Sequence, residues 1–268
     1  MNRRIGFLGC GKMAKAMIGG MVESKLISPS KIYASNRTIT KLVDVHEKYG
    51  IHIAETNIEL VQHSDIVFLA VTPDQYPHVI EEIKDELNTE TIVVLIAGGQ
   101  SLTENMERFG YEVKMVKAMP NTPVLVREGM STISFNSYLT EEDKRDIIAI
   151  FESFGKAEVI DERIMDTASA VAGSSPAFVY MYIEALADAA VMYGMTREKA
   201  YAVTAQAVLG AAKMVVETGE HPGKLKDDVC SPGGTTIQSV GALEEHGFRN
   251  AVMQAVHANI SKLREGKN

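Results

Sequence analysis

A chain of 268 residues is longer than one hydrophobic core usually serves, so two domains, or one large one, are expected. Hydrophobic residues at 46% and charged residues at 23% fit a soluble globular protein, and a net charge of −8 excludes the broad basic field that nucleic acid requires, while leaving room for a local basic pocket. The two cysteines, Cys10 and Cys230, stand far apart without metal-ligand spacing, which speaks against a disulfide scaffold and for a reducing, cytoplasmic setting.

In chain order, Ile5-Gly6-Phe7-Leu8 reads as a first strand, running straight from Met1-Asn2-Arg3-Arg4 with no secretory leader pattern. A helix is predicted from Lys12 to Ser24, then a strand at Lys31–Ala34. Ile66–Val71, Ile92–Ile96 and Lys114–Ala118 are further apolar runs; Ile66–Val71 has too few polar residues for a solvent face, as in a buried parallel sheet. Strands at Met130–Phe135 and Ala157–Ile160 bracket a helix from about Glu141 to Phe154. After Asp161 the composition turns to Ala, Met, Val and Leu at helical spacing, punctuated by Gly194, Gly219, Pro222, Pro232 and Gly247. The apolar stretch from Val171 to Met195 carries Glu184 and Asp188, so no membrane span is expected. The fold class is therefore α/β: a Rossmann-type parallel-sheet domain over residues 1–161, then an all-α domain over 162–268. So alanine-rich a bundle is expected to bury apolar surface against another subunit, although a self-contained bundle fits the same pattern.

Gly9-Cys10-Gly11-Lys12-Met13-Ala14 follows the first strand and opens the first helix, the G-x-G-x-x-A form of a dinucleotide-binding turn in its required context. Gly9 permits the tight turn, Gly11 lets backbone approach a diphosphate, and Ala14 lets helix and strand pack closely. At the end of the second strand, where Asp or Glu would repel a 2′-phosphate, stand Ser35, Asn36, Arg37 and Thr38, all able to donate hydrogen bonds. NADPH is favoured, with NADH as an alternative; taken alone, Arg37 is equally a solvated surface charge. Ala70-Val71-Thr72-Pro73 and Ala97-Gly98-Gly99 occupy carboxyl ends of predicted parallel strands, where such sheets bind ligands, and their small residues leave room for ribose and nicotinamide.

An alcohol-oxidising dehydrogenase normally places a Lys or His base beside the hydride, and residues 164–195 contain no Lys, His or Arg. The seven histidines suggest no metal triad. Instead, Ala172-Gly173-Ser174-Ser175-Pro176-Ala177 and Cys230-Ser231-Pro232-Gly233-Gly234-Thr235-Thr236 each look like a loop feeding a helix start. Such segments are capping chemistry in their own right; together they offer hydroxyls and free N–H groups suited to a small carboxylate. A protonated imine suits them, since it is already electrophilic and hydride delivery requires orientation more than a strong base.

These motifs, together with Met119-Pro120-Asn121-Thr122-Pro123 and His221-Pro222-Gly223-Lys224-Leu225-Lys226-Asp227, resemble those of pyrroline-5-carboxylate reductases, in order over nearly the whole chain. The resemblance implies a helical domain that forms an intertwined homodimer, sometimes assembled further, and the last step of proline biosynthesis: hydride transfer from NAD(P)H to the C=N carbon of 1-pyrroline-5-carboxylate. It implies Gly9, Gly11, Lys12, Met13 and Ala14 at the diphosphate, with Ser35, Asn36, Arg37 and Asn57 on the adenosine side. Ala70, Val71, Pro73, Ala97, Gly98 and Asn121 then belong to the rest of the cofactor site. Ser174, Ser231, Gly234 and Thr235 fall to the substrate, Thr236 to the ring nitrogen as the catalytic hydroxyl, and Glu162 and Asp228 line or support the site. The chain departs from the family at Thr72 (often Lys), Ser175 (often Gly) and Cys230 (often a small hydroxyl residue), which bears on cofactor preference, rate and substrate breadth. Three other readings share parts of this pattern: another imine or ketone reductase on the same scaffold, for instance of a larger cyclic imine, a β-hydroxyacid dehydrogenase, and a nucleotide-binding regulator without turnover.

Overall fold

The computed structural model describes residues Met1–Glu265. It divides into two compact units, one built on Met1–Ser174 and the other on Ser175–Ser261. The composition change at Asp161 falls earlier, before the short helical segments that end the first unit.

The first unit contains β1 (Ile5–Leu8), α1 (Lys12–Glu23), β2 (Ile32–Ser35), α2 (Thr40–Tyr49), β3 (His52–Ile53), α3 (Asn57–Gln62), β4 (Ile66–Leu69), α4 (Tyr76–Ile83), β5 (Ile92–Leu95), α5 (Leu102–Phe109), β6 (Lys114–Pro120), β7 (Gly129–Phe135), α6 (Glu141–Glu152), β8 (Gly155–Val159) and α7 (Met165–Ala168). The eight strands form one sheet in the order β3-β2-β1-β4-β5-β6-β7-β8. All neighbours pair in parallel except β6 and β7, which run antiparallel with Ala118 opposite Ile133. The connection between those two strands is too short for a crossover helix, so the chain can only return alongside.

Strand residues alternate between two apolar layers. Ile5, Phe7, Ile66, Phe68, Ile92, Val94, Val116 and Ala118 face a core completed by Met17 and Ile18 of α1, Leu42 and Val45 of α2, and Ile147, Ile150 and Phe151 of α6. Leu8, Val67, Leu69, Val93, Leu95 and Met115 face Leu60 and Val61 of α3, Tyr76, Val79, Ile80 and Ile83 of α4, and Leu102 and Phe109 of α5. Burial on both faces is why these strands read as unbroken apolar runs. The strand order reverses direction at β1, with β2 on one side and β4 on the other, which opens a crevice at their carboxyl ends.

The second unit is helical: α8 (Ser174–Met192), α9 (Arg197–Thr218), α10 (Pro222–Asp228), α11 (Thr235–Glu245) and α12 (Phe248–Glu265). Among its described residues only Ala187, Ala200 and Thr204 are buried. Tyr180, Met181, Val203, Leu209, Val216 and Met253 are each more than half exposed, a large apolar surface for so small a unit. Among the described residues no helix is long and apolar enough to cross a membrane.

Candidate functional site

A cleft of about 700 Å³ lies at the crevice beside β1. Gly9 turns the chain there with φ +90°, and a Cβ on it would stand 2.7 Å from the Ala70 carbonyl oxygen. Glycine is therefore required both by backbone conformation and by the close approach of the β4 end. A Cβ on Gly11 would meet nothing within 4 Å, so its bareness serves no internal packing and leaves space toward the cleft. Gly11 caps α1 without any side-chain hydrogen bond, and no acidic residue stands in the first turn. The opening N–H groups of α1, with the positive end of the helix, thus remain available to an anion. These are the features a dinucleotide diphosphate needs, and the cleft's residues fit that group.

Of the residues expected at the cofactor, Gly9, Gly11, Ser35, Asn36, Arg37, Asn57, Ala70 and Val71 line this cleft. Lys12, Met13, Ala14, Pro73, Ala97, Gly98 and Asn121 do not. Ala14 is buried at 1% exposure in the α1–sheet core, the packing role its small size allows. Asn121 is committed within the fold: its Nδ2 donates to Ala172 O at 2.9 Å and its Oδ1 accepts from Met130 N at 2.9 Å. It ties the turn after β6 to the single π-helical turn, Ser169–Gly173, that precedes α8. Ala97 N–H donates to the buried hydroxyl of Tyr76 at 3.2 Å.

The residues expected on the adenosine side form a polar set. Ser35 Oγ donates to Asn57 Oδ1 at 2.7 Å, and Asn57 Nδ2 donates to Glu82 Oε2 at 2.7 Å. Asn36 accepts from Cys10 N at 3.4 Å and donates to Thr38 O at 2.9 Å. Arg37 is exposed and has no ion pair among the described residues. Burial pushes the Cys10 thiol up to about 11, which keeps it a neutral, unreactive filler beneath the turn. One face of α4 and the residue before it, Gln75, His78, Val79 and Glu82, also lines the cleft, as do Ile39, Glu55, Thr56, Thr72 and Asp74. The sequence reading missed that stripe, although its i, i+3, i+4, i+7 spacing directly after the β4 end was the available signal. A second cavity of about 250 Å³ is lined by Lys15, Glu23, Asp44, Lys48 and Arg127 and includes no part of the glycine turn.

Glu162 lies in the first unit, where its Oε1 accepts from Leu102 N at 2.9 Å and stands 3.6 Å from Lys117 Nζ. Lys117 is almost fully buried on β6, so its ammonium requires this partner. Glu162 thereby ties the start of α5 to β6.

In the second unit, Ser231-Pro232-Gly233-Gly234 forms a turn closed by Gly234 N donating to Ser231 O at 3.0 Å, with Gly233 at φ +68°. Proline followed by a positive-φ glycine is the sequence of a type II turn. A Cβ on Gly234 would strike Ser231 Oγ at 2.4 Å, so glycine there lets the hydroxyl lie across the turn. Gly234 caps α11 without a side-chain bond and without an acidic first turn, leaving the N–H groups at Thr235 and Thr236 facing outward. Asp228, at the end of α10, pairs with Lys224 at 2.6 Å. Ser174 is the first residue of α8. No group of three or more metal-binding side chains is gathered among the described residues.

Residues 162–266 match the pyrroline-5-carboxylate reductase dimerisation family, and residues 4–99 match the family described as NADP oxidoreductase, coenzyme F420-dependent. The pyrroline-5-carboxylate reductase of Escherichia coli is 49% identical over 262 residues, covering 98% of this chain and 97% of that protein. The enzyme of the same name from Arabidopsis thaliana is 40% identical over 98% of this chain and 95% of its own length. Among solved structures, a pyrroline-5-carboxylate reductase from Coxiella burnetii superposes with a TM-score of 0.93 at 34% identity, over 99% of this chain and 98% of that one. A pyrroline carboxylate reductase from Plasmodium falciparum with NADP bound gives a TM-score of 0.88 at 33% identity, over 98% of each chain.

Proposed function

The chain belongs to the pyrroline-5-carboxylate reductase family, and from that membership we propose that it reduces 1-pyrroline-5-carboxylate to L-proline, with NADPH as the preferred reductant and NADH as the second. It is an NAD(P)H-dependent oxidoreductase, and the observation that carries the reading is the 49% identity to the Escherichia coli reductase over 98% of the chain.

The dinucleotide, when bound, supplies the hydride. The α1 N-terminus holds its diphosphate, with Ser35, Asn36, Arg37 and Asn57 at its adenosine end. The Ser231–Thr235 turn and the opening N–H groups of α11 hold the substrate carboxylate. Thr236 donates to, or accepts from, the ring nitrogen and fixes the plane of the imine. A protonated C=N needs no strong base to accept hydride, so these groups act by holding and orienting it. Glu162 and Asp228 act as supports, consistent with their bonds to Leu102 and Lys224.

The active species is a homodimer, or an assembly of dimers. The match to a dimerisation family and the exposed apolar side chains of the helical unit support this. A cytoplasmic location agrees with two cysteines that are both free.

The test is NADPH oxidation with five-membered and six-membered cyclic imino acids. Turnover of the five-membered ring is expected to dominate; turnover of the six-membered ring alone would refute the substrate assignment.

A further inference from the structure

The cofactor cleft contains a run of hydrogen bonds whose direction is fixed from one end. Glu82 on α4 ends in a carboxylate, which only accepts, so the Asn57 amide turns its Nδ2 toward it, at 2.7 Å. Asn57 Oδ1 then faces Ser35 and can only accept, so the Ser35 hydroxyl spends its one proton on the 2.7 Å bond to Asn57. What Ser35 Oγ has left for the cleft is lone pairs. Of the four residues Ser35 to Thr38 expected to donate to a phosphate, Ser35 is therefore set the other way. Asn36 gives one amide proton to Thr38 O, and among the described residues Arg37 is the only Lys or Arg lining the cleft.

Ser35 is the last residue of β2. From this position an acidic side chain accepts the ribose 2′-hydroxyl in sheets that bind NAD, and there its charge repels the 2′-phosphate of NADP. Here the carboxylate stands two hydrogen bonds away, at Glu82. It passes on its acceptor polarity through Asn57 while keeping its charge back from the ribose.

We propose that Glu82 is a cofactor-selecting residue: acting through Asn57, it sets Ser35 as an acceptor for a ribose hydroxyl and so retains NAD(H), while Arg37 supplies the affinity for a 2′-phosphate. The proposal rests on the reading of this cleft as the nucleotide site. The two substitutions that separate it from simple charge repulsion are Glu82→Gln and Asn57→Ala. In Glu82→Gln the new side-chain amide can give or accept, which frees Asn57 to reverse and Ser35 to turn its proton to the cleft. Asn57→Ala breaks the run but keeps the Glu82 charge.

The measurement is calorimetric affinity for NADP⁺ and NAD⁺, which needs no turnover and so stands apart from whether the imine is reduced. Both variants are expected to shift the affinity ratio toward NADP⁺ by about three- to tenfold, the worth of one hydrogen bond, mainly by weakening NAD⁺. Arg37→Ala is expected to move the ratio the opposite way by weakening NADP⁺. A shift in Glu82→Gln with Asn57→Ala unchanged would mean that Glu82 acts only by charge, and the relay would be overturned. A shift in Asn57→Ala alone, or in neither, would overturn it equally. If the unaltered protein bound neither nucleotide, the cofactor reading itself would fall, and the proposal with it.

Discussion

The Tyr76 hydroxyl donates to the Leu69 carbonyl at 2.8 Å, and the same oxygen accepts from the N–H groups of Ile96 and Ala97, each at 3.2 Å. One fully buried phenol thus fixes the end of β4 to the end of β5, the two strand ends that lead into Ala70 and Ala97. Burial pushes its ionisation far above the usual phenol range, so it remains a neutral donor at any working pH. Tyr76→Phe would take the hydroxyl from one buried carbonyl and two partly buried N–H groups and is expected to cost about 1–3 kcal/mol of stability. If these strand ends serve the nicotinamide half of the cofactor, NADPH is expected to bind more weakly while 2′,5′-ADP binds as before. Equal weakening of both ligands would show that Tyr76 supports the fold alone.

Gly11 separates fold from function more sharply. A methyl group there touches nothing within 4 Å, so Gly11→Ala is expected to leave the melting temperature unchanged. On the proposed reading the same methyl stands where the diphosphate approaches the α1 N–H groups, and NADPH affinity is expected to fall by at least about tenfold, as when a charge-assisted hydrogen bond is lost. Calorimetry beside a thermal melt checks both halves. Undiminished affinity would move the diphosphate away from this turn.

Much of the first unit was legible because its strands are buried on both faces and its glycines carry steric demands that sequence spacing expresses directly. β3 was not: His52 and Ile53 form an edge pair too short and too polar to give a periodic signal. The reversal of β7 was hidden as well, since alternation of side chains says nothing about strand direction. Gly9, Ser35, Arg37 and Asn57, expected from the motif and the resemblance, all line the cleft. The polarity of Ser35 was not, because it is set by Glu82, which is distant in sequence and reaches it through an amide. Asn121 and Glu162 show the same limit. The resemblance puts both at the site, but no spacing announced the bonds they make to Ala172, Met130 and Leu102.

At the amino ends of the strands, Asp143 gathers Arg3 and Lys114, each at 2.9 Å, and closes a capping box with Thr140. Burial by itself favours the neutral acid. The hydrogen bonds from Lys114 and Thr140 outweigh it and hold the carboxyl below its ordinary value of 3.8. The folded protein therefore carries fewer protons here than the unfolded chain. The contribution is complete above 3.8 and is lost as pH falls through the lower folded value. Asp143→Asn is expected to cost about 1–3 kcal/mol at neutral pH, since Arg3 and Lys114 each lose one charged hydrogen bond while keeping Asp146 and Glu90. It is also expected to flatten the acid limb of stability below about pH 4. Melting temperature against pH is the check. An unchanged acid slope would take Asp143 out of that limb.

Thr236 is the second residue of α11, exposed and outside the capping interactions of that helix, so its loss costs the fold little. If its hydroxyl orients the imine nitrogen, Thr236→Ala removes one hydrogen bond that matters most as hydride arrives. kcat is then expected to drop about five- to tenfold, with KM for NADPH unchanged. Thr236→Ser keeps the hydroxyl and is expected to recover most of the rate, which a role for the methyl group would not allow. A parallel rise in KM for NADPH would point to a misplaced cofactor rather than a loosely held imine. If neither variant alters kcat, the ring nitrogen is oriented by some other group, and the assignment of Thr236 fails.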